Sequence, residues 1–402
     1  MTNRLYYTDS YLTTFDGVIV ESGEADGKPY VVLDRSAFYP TSGGQPHDTG
    51  ALGGRRVVDV VDREADGAVI HVLDGPPPPD EGGPLSGAID WTRRFDHMQH
   101  HTGQHVLSAA FVRTAGLPTV SFHLGTELCT IDLAGAADAD AVAKAEDAAN
   151  HVLWEDRAVT VRFVSEEEAA RLPLRKTPAR GGTLRIVEVA DFDLSACGGT
   201  HVPRTGVVGV IAVQAWEKYK SGTRVSFLCG GRVVSRFRHY RDTVGAAVRQ
   251  LSIQPDELSA AITRLQEESR DARQQFKAMG ESLARYEAEE LARSAVPSGS
   301  VFLVCRVIPG RDANGLKSLA QAISARPGHV AVLVSDVRPA LVVVSRAADA
   351  GIDASAVLKT LIGRFGGRGG GKPDAAQGGG LDGDPAAIRD AASGIVTSSV
   401  TI

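Results

Sequence analysis

The chain has 402 residues, more than one ordinary hydrophobic core accommodates, and its 43% apolar and 23% charged residues are typical of a globular protein. A formal net charge of −6 excludes the overall basic character of a nucleic-acid-binding protein, so any nucleic-acid contact must come from local basic patches. The four cysteines are widely spaced and form no disulfide framework, and no apolar run is long enough to cross a membrane. We therefore expect a cytoplasmic enzyme or RNA-associated protein without membrane contact.

Residues 1–240 predict two consecutive domains. In residues 1–90, short apolar runs separated by turn residues predict strands at 30–33, 57–61 and 68–73. In residues 91–240, helices alternate with strands, which predicts an α+β domain. The predicted helices there cover 96–115 and 137–154, and the predicted strands cover 128–133, 159–164, 184–189, 207–213 and 223–229.

Residues 241–295 predict a helical linker. Pro255 favours a helix start, and from Leu258 apolar residues recur at steps of mostly three and four, which places them on one stripe of a helix. The members of this apolar stripe are Ile262, Leu265, Ala272, Phe276, Met279, Leu283 and Tyr286. The stripe could pair with a second chain and make a homodimer, or it could pack back on its own domain; the pattern favours neither.

Residues 296–402 predict a small α/β domain, because strands and helices alternate again. The predicted strands cover 300–307, 329–335 and 340–345, and the predicted helices cover 312–325 and 354–365. A glycine-rich run follows at 366–379. Repeated glycines allow backbone N–H groups to approach a phosphate closely, and Arg368 and Lys372 add positive charge.

Two pairs of side chains have the spacing of metal ligands. His101 and His105 lie four residues apart in the predicted helix, so both imidazoles point from one face about one turn apart. Cys197 and His201 are also four residues apart, and the two glycines between them permit a tight turn. A thiolate with three imidazoles suits Zn²⁺ and would not select Mg²⁺ or Ca²⁺. We therefore expect one zinc ion at this site.

The role of the predicted zinc stays open at this point. Four protein ligands would fill a tetrahedron and leave no position for water, as in a structural site. Catalysis would need one ligand to be loose or absent, or would use another group. The pattern does not fit a zinc protease, because Thr102 stands where such an enzyme has glutamate. His100, beside a predicted ligand, is expected to be a bystander or a partner of a ligand.

The motifs together resemble a known family. Residues 38–46 read FYPTSGGQP, residues 101–105 read HTGQH and residues 197–201 read CGGTH. These segments resemble the editing domain of alanyl-tRNA synthetase and the freestanding AlaX editing proteins. The run GGRGGGKPDAAQGG at 366–379 is similar to the signature of the DHH-associated C-terminal domain of alanyl-tRNA synthetase. Since the motifs follow the family's order across nearly the whole chain, the chain is identified as a member of the long form of AlaX.

The resemblance implies a trans-editing hydrolase that deacylates mischarged Ser-tRNA(Ala), with Gly-tRNA(Ala) as a second candidate substrate. It implies zinc ligands at His101, His105, Cys197 and His201, and catalytic roles for Thr41, Gln45 and Cys197. The substrate pocket is expected from Thr41, Ser42, Gly43, Gly44 and Gln45, with Thr41 reading the serine hydroxyl. The expected partner is tRNA(Ala) with its aminoacylated 3′ end, contacted through Arg368, Gly369, Gly370, Gly371 and Lys372. Because only 37 residues precede Phe38, no aminoacylation activity is expected.

The predicted fold class is α+β in four parts. These are a small β-barrel-like domain (1–90), a zinc-dependent editing domain (91–240), a helical linker (241–295) and a C-terminal α/β DHH-associated domain (296–402). Two alternatives to Ser-tRNA(Ala) editing remain. One is a non-catalytic tRNA-binding protein with a structural zinc, and the other is an editing hydrolase for another aminoacyl-tRNA, such as Thr-tRNA. The preference between serine and glycine, and the group that activates water, are left open by the sequence.

Overall fold

The computed structural model describes residues 1–77, 83–175 and 182–400. The chain divides into two compact units, Met1–Ala246 and Ala247–Ile402. The structure is a mixed α+β fold, as predicted, while the finer division into four parts stays a prediction. In the part of the chain that the structure describes, no helix combines the length and the apolar character needed to span a membrane.

The first unit opens with a twisted antiparallel sheet. Its nine N-terminal strands are β1 (Asn3–Arg4), β2 (Thr14–Gly17), β3 (Ile19–Ala25), β4 (Lys28–Leu33), β5 (Arg35–Ser36), β6 (Gly50–Leu52), β7 (Arg55–Arg63), β8 (Ala68–Leu73) and β9 (Leu85–Ile89). Seven of them pair in the order β2-β9-β6-β7-β8-β4-β3, while β1 and β5 form a small parallel pair. Within the described residues, β2 and β3 are free edges, so the barrel-like expectation is corrected to an open sheet around a small core. A short 3₁₀ helix, Leu5–Tyr7, follows β1.

A buried hydrogen-bond chain fixes the segment that leads into the FYPTSGGQP motif. His71 on β8 is fully buried, with Nε2 2.7 Å from the Ser36 hydroxyl and Nδ1 3.2 Å from the Val31 carbonyl oxygen. The Phe38 amide donates to the same hydroxyl at 3.1 Å. A neutral imidazole satisfies every group, because its Nδ1–H donates to Val31 and its Nε2 accepts from Ser36. Burial lowers the pKa of His71 to about 4.

The second part of this unit contains the helix that carries two of the predicted ligands. Its elements are α1 (Trp91–Ala115), β10 (Thr119–Leu124), β11 (Cys129–Leu133), α2 (Ala139–Trp154), β12 (Val159–Val164), α3 (Glu166–Ala169), β13 (Leu184–Val189), β14 (Asp193–Ala196), β15 (Ile211–Tyr219), β16 (Gly222–Cys229) and α4 (Gly230–Leu251). The strands form two antiparallel sheets, β10-β11-β16-β15 and β12-β13-β14. Most of α1 from residue 97 to 111 is buried in the core between α2 and these sheets.

Local capping explains where α1 begins and ends. It begins at Trp91 rather than at the predicted residue 96, because the Asp90 side chain accepts a hydrogen bond from the Arg93 amide at 3.2 Å. It ends at the predicted Gly116, whose φ of 65° lies in the left-handed region that favours glycine. The missed first turn, residues 91–96, is mostly half-exposed, and burial becomes nearly continuous only from His97 to Phe111.

Two further segments differ from prediction. The predicted strand at 207–213 is wrong, because Thr205–Val208 forms a 3₁₀ turn, Gly209 has a φ of 84°, and the strand begins only at Ile211. A positive φ at Gly209 breaks the extended backbone that the valine-rich run suggested. Helix α4 was not predicted at all before residue 241. Its sequence is rich in arginine, and most of its side chains are exposed or half-exposed, although Phe237, Val244 and Val248 do fall at helical spacing.

The second unit is a long helix followed by an α/β sandwich. After a 3₁₀ turn at Pro255–Glu257, its elements are α5 (Leu258–Arg293), β17 (Val296–Ser298), β18 (Val301–Ile308), α6 (Ala313–Ser324), β19 (His329–Ser335), β20 (Ala340–Arg346), α7 (Ala354–Phe365), β21 (Arg368–Gly371), β22 (Ala375–Leu381) and α8 (Pro385–Val400). The sheet order is β17-β18-β19-β20-β22-β21, and only β18 and β19 pair in parallel. One apolar cluster involves α7 and α8, and another involves α5 and α6.

The apolar stripe of α5 does not pack into the core of its own unit. The side chains of α5 that are buried are instead alanines, including Ala284, Ala288 and Ala292 beside α6. Large members of the stripe stay exposed in this chain, with Phe276 at 75% and Tyr286 at 76%. The structure therefore does not show the alternative in which the stripe packs back on its own domain. The homodimer stays a prediction.

The lowered pKa of His71 predicts an acid-sensitive N-terminal sheet. The unfolded chain binds a proton at His71 near pH 6.5, whereas the folded chain binds it only near pH 4. The stability that the neutral imidazole contributes is therefore complete above pH 6.5 and falls by up to about 3 kcal/mol as the pH drops to 4. His71→Gln should flatten this part of the pH profile in urea unfolding. The exposed His151→Gln should keep the wild-type slope, and an unchanged slope in His71→Gln would contradict the assignment.

Candidate metal centre and adjoining cleft

The structure brings the four predicted metal ligands together. His101 and His105 project from α1, while Cys197 and His201 flank the turn that follows β14. Their candidate ligand atoms all lie within 4.8 Å of one another. The Cys197 Sγ lies 3.3 Å from His101 Nε2 and 3.4 Å from His201 Nε2. His101 and Cys197, which are 96 positions apart in the sequence, therefore belong to one small cluster.

Each histidine of the cluster uses its other ring nitrogen for a hydrogen bond. His101 Nδ1 lies 2.7 Å from Gln45 Oε1, and His105 Nδ1 lies 2.8 Å from Asp193 Oδ2. His201 Nδ1 lies 3.1 Å from the Thr102 hydroxyl. Such partners fix the ring and its tautomer, so that Nε2 offers its lone pair to an ion. The donor set and these partners fit Zn²⁺.

Gln45 joins the FYPTSGGQP motif to both halves of the cluster. Its side chain is fully buried, and Oε1 accepts from the Thr200 amide at 3.1 Å besides contacting His101. Its Nε2 donates to the Thr200 hydroxyl at 2.9 Å. Both ends of the amide are therefore occupied by protein groups. In this structure Gln45 holds the ligands in place rather than facing an open space.

A buried ion pair fastens the same motif to α1. The Arg94 side chain is fully buried, and its Nε lies 3.0 Å from Asp48 Oδ2. The same carboxylate oxygen accepts from the Tyr39 amide at 2.7 Å, and Arg94 also donates to the Ser10 carbonyl at 2.9 Å. A charge pair removed from water has to be well hydrogen-bonded, and this one is. It sets the motif beside the histidines of α1.

Arg185 on β13 holds the turn that carries Cys197. Its Nη1 donates to the carbonyl oxygens of Cys197 and Gly199 at 2.7 and 2.9 Å, and its Nε donates to the Tyr7 carbonyl at 3.1 Å. The other terminal nitrogen, Nη2, is buried without a hydrogen-bond partner among the described residues. Burial lowers the pKa of Arg185, but it stays a cation because its ordinary pKa is far above neutrality.

Asp193 supports the cluster from the other side. Its Oδ1 accepts from Arg175 Nε at 2.6 Å, and the Ser195 hydroxyl donates to Oδ2 at 3.0 Å. Burial raises the pKa of this carboxyl, yet His105 and Arg175 outweigh burial and leave the pKa well below its usual range. Asp193 is therefore a carboxylate that orients His105 and stabilises positive charge on it.

The electrostatics of the cluster favour a thiolate. Burial alone raises the pKa of the Cys197 thiol, but the imidazoles of His101, His201 and His105 outweigh it and hold the pKa well below its ordinary value. Burial lowers the pKa of His105, whereas Cys197 and Asp193 raise it, with a result of about 9. For His201 burial prevails and the pKa falls to about 3. The thiolate is the form of cysteine that binds metal ions.

A cleft of about 530 Å³ opens beside the cluster. Ser42 and Gly43 of the predicted pocket line it, whereas Thr41, Gly44 and Gln45 are not among its described lining residues. The Thr41 hydroxyl instead lies 3.1 Å from His47 Nδ1. Further described lining residues include Tyr7, Tyr39, His101, His105, Phe122, Phe163, Arg175, Arg185 and Cys197. Gly44 contributes indirectly, because its φ of 82° suits glycine and a Cβ there would lie 2.7 Å from the Phe122 ring.

Several residues of the site were missed by sequence reasoning. Arg185 and Asp193 carry no motif spacing of their own, and only the register of β13 and β14 brings them to the cluster. Thr200 lies inside the CGGTH motif, but the spacing of that motif gave it no role. Thr102 was noted only for not being glutamate, yet its hydroxyl contacts His201 and accepts from the Val202 amide at 3.2 Å. Adjacent to the cluster, His100 is a bystander. Its ring bonds the Asp96 carbonyl at 2.8 Å and the Cys229 amide at 3.0 Å.

The glycine-rich run of the second unit is not an irregular loop. Arg368–Gly371 is the edge strand β21, antiparallel to β22, and Lys372 lies in the turn between them. Some of its glycines are required by packing, since a Cβ at Gly369 would lie 2.5 Å from the Gln377 carbonyl oxygen. All four residues of β21 are exposed. An edge strand leaves alternate N–H groups unpaired, so the predicted contact surface is a strand edge beside two cations.

Comparisons with known proteins define the class to which this fold and site belong. The family model described as the second additional domain of threonyl and alanyl tRNA synthetases matches residues 184–226, and the DHHA1 domain matches residues 300–397. The alanine–tRNA ligase of Pyrococcus abyssi is 30% identical over 94% of this chain and 42% of the ligase. That of Halorubrum lacusprofundi is 33% identical over 97% of this chain and 43% of the ligase. The chain thus spans about two fifths of the length of these ligases.

A shorter relative matches from end to end. The alanyl-tRNA editing protein AlaX-L of Pyrococcus horikoshii is 30% identical over 391 residues, which cover 94% of this chain and 94% of that protein. The chain therefore belongs to the AlaX-L family of alanyl-tRNA editing proteins. This confirms the family resemblance that the sequence motifs indicated.

The two glycines of the turn provide a matched test of the cluster. A Cβ at Gly199 would lie 2.1 Å from His101 Cε1 and 3.0 Å from Gln45 Oε1, whereas the nearest atom to a Cβ at Gly198 is the Tyr7 hydroxyl at 3.6 Å. Gly199→Ala should therefore displace His101 and weaken zinc binding about 10- to 100-fold in competition with a chelating dye, as loss of ligand orientation does elsewhere. Gly198→Ala should bind zinc like the wild type. Equal affinities in the two variants would show that the observed packing does not hold the ligands.

Proposed function

We propose that this protein hydrolyses the ester bond of mischarged alanine tRNA, with Ser-tRNA(Ala) as the main substrate and Gly-tRNA(Ala) as a second. The observation that carries the proposal is the cleft beside the cluster of His101, His105, Cys197 and His201, in a chain of the AlaX-L family. The name of the Pyrococcus horikoshii relative supports alanyl-tRNA as the class of substrate. An aminoacyl ester is already activated, so positioning of water and substrate supplies most of the needed rate.

The proposed cofactor is a single zinc ion held by the four residues of the cluster. When bound, zinc would act as a Lewis acid that holds the substrate and lowers the pKa of water. Gln45, Asp193 and Thr102 would keep the three imidazoles oriented through the bonds described above. Cys197 is proposed both as a ligand and as the residue whose thiolate charge adjoins the reacting ester. Gln45 is proposed to act through His101 and Thr200, to which its amide is bonded.

Selection of serine over alanine requires a group that recognises one hydroxyl. A site that hydrogen-bonds a substrate hydroxyl discriminates far more strongly than one that merely excludes by size. Ser42 and Gly43 support the pocket assignment because they line the cleft, and Gly44 keeps the turn close to Phe122. Thr41 remains the proposed hydroxyl reader on resemblance alone, since its hydroxyl adjoins His47.

Two alternative functions keep specific support. A compact set of four ligand atoms is what a structural zinc site requires, which favours a non-catalytic tRNA-binding protein. The family model over residues 184–226 covers threonyl as well as alanyl tRNA synthetases, which favours Thr-tRNA as another substrate. The proposal for Ser-tRNA(Ala) is preferred because the whole-length relative is an alanyl-tRNA editing protein. Absence of aminoacylation activity and the homodimer remain parts of the proposal.

The second unit is proposed to bind the tRNA backbone. Arg368, Lys372 and the exposed edge of β21 place two cations beside unpaired backbone N–H groups, which suits phosphate. Gly369, Gly370 and Gly371 support close approach because glycine has no side chain to cover the backbone. The match to the DHHA1 domain covers this segment.

A deacylation assay tests the proposed reaction. Zinc-loaded protein should release serine from Ser-tRNA(Ala), and Cys197→Ala should lower the rate at least about 100-fold because the ion loses a ligand. Removal of zinc with a chelator should have the same effect. Cys305→Ala, in the second unit, removes a buried cysteine outside the cluster and should leave the rate unchanged. Binding of tRNA without serine release would favour the non-catalytic alternative, and release only from Thr-tRNA would favour the other.

Point substitutions test the second unit better than truncation. Removing the chain after residue 366 would delete β22 and α8, whose Leu381, Ile388 and Val396 belong to the core. Arg368→Ala with Lys372→Ala should instead weaken tRNA binding and reduce the slope of log K against log salt by about one to two, since each phosphate contact contributes about one. The exposed Lys359→Ala should keep the wild-type slope. An unchanged slope in the double variant would remove these residues from the interface.

A further inference from the structure

Phe163 is an exposed aromatic side chain at the cleft. It lies on the edge strand β12, where 49% of it is exposed although large aromatic side chains are usually buried. The register of β12 and β13 places Phe163 opposite Arg185, so both project from the same face of the sheet. The other face of these strands carries a separate small core with Val164 and Ile186. Phe163 is therefore not a core residue that lies by chance near the surface.

Tyr7 stands beside Phe163 and is held firmly. The two ring centroids are 6.5 Å apart with a tilt of 59°, and both residues line the cleft. Arg185 donates to the Tyr7 carbonyl, and its guanidinium carbon lies 5.6 Å from the centre of the Tyr7 ring. The Arg4 guanidinium lies 5.7 Å from the same ring, and Tyr6 packs edge-on against it at 5.0 Å. A ring fixed on several sides loses little conformational freedom when a ligand stacks on it.

The size of the cleft indicates what these rings contact. A volume of about 530 Å³ is much more than a seryl group fills, so a substrate attached by its ester at the cluster would extend further along the cleft. In single-stranded RNA the exposed surfaces next to the ribose are the faces of the base, and aromatic side chains recognise those faces by stacking. Tyr7 and Phe163 line the same cleft as His101 and Cys197.

We propose that Tyr7 and Phe163 form a stacking site for the 3′-terminal base of the aminoacylated RNA. This inference rests on the proposed function and assigns it a binding site outside the metal cluster and the FYPTSGGQP motif. Arg185 links the stacking site to the metal cluster, because its one guanidinium bonds both the Tyr7 carbonyl and the turn that carries Cys197. Stacking holds the base by its faces. Because Arg185 fixes both Tyr7 and the Cys197 turn, the same side chain sets the position of the base relative to the ester.

Fluorescence of a stacked base tests the site without catalysis. The probe is the tetranucleotide ACCA with 2-aminopurine as its last base, whose fluorescence falls when it stacks on an aromatic ring. Zinc-loaded wild-type protein should quench the probe on binding. Phe163→Leu keeps an apolar side chain but removes the ring, and it should raise the Kd about tenfold and reduce the quenching at saturation. Phe163→Trp should retain the quenching, and Tyr7→Leu should lose it.

Controls separate the site from general aromatic contacts and from the proposed reaction. Trp154 on α2 is 67% exposed, is not among the described residues that line the cleft, and Trp154→Leu should behave as wild type. Wild-type quenching in both Phe163→Leu and Tyr7→Leu, with zinc content and circular dichroism unchanged, would overturn the inference. If these variants lose the quenching but the wild type releases no serine, the stacking site is supported and the deacylase activity is rejected. Serine release without any quenching would reject the stacking site alone.

Discussion

The amide of Gln45 is the constraint on which the candidate centre depends. It is fully buried and bonds to His101 on α1 and to Thr200 in the turn between Cys197 and His201. Loss of this amide would leave its buried partners unpaired, which costs about 1–3 kcal/mol for each group. One side chain therefore joins three segments that lie far apart in the sequence. The FYPTSGGQP motif has a structural role in the cluster as well as its proposed role in the pocket.

The charged side chains around the cluster make hydrogen bonds that support this geometry. Asp193 faces His105, and Arg175 faces Asp193 from the other side. Arg185 brings a cation close to the Cys197 turn through two carbonyl oxygens. Because buried charges are costly unless they are paired and hydrogen-bonded, these contacts hold the polar site in one arrangement before any ligand enters. The site needs little reorganisation to receive an ion or a substrate.

The second unit uses glycine in a different way. In the turn between Cys197 and His201, Gly199 is required because His101 occupies the space where a Cβ would be. In β21, Gly369 is required by the neighbouring strand, while Gly370 has open space around it and lies on an exposed edge. The first kind of glycine permits packing around a ligand set, and the second leaves backbone groups accessible. The glycines of the turn and the glycines of β21 are therefore explained by two different physical requirements.

The sequence by itself determined the features that depend on local spacing. The four-residue steps of His101–His105 and Cys197–His201 identified the cluster, since a helix turn and a glycine turn fix such spacings locally. The order and spacing of most strands and helices in residues 296–402 could also be predicted, apart from the strands β17, β21 and β22 and the final helix α8.

Only the tertiary structure decided which residues orient the ligands and which line the cleft. Asp193, Arg185 and Tyr7 reach the site through strand register and loop packing, and Phe163 does so because Arg185 lies opposite it. Such contacts join residues distant in sequence, and no local pattern encodes them. The start of α1 likewise depends on a contact, since the Asp90 side chain caps the helix by accepting from the Arg93 amide.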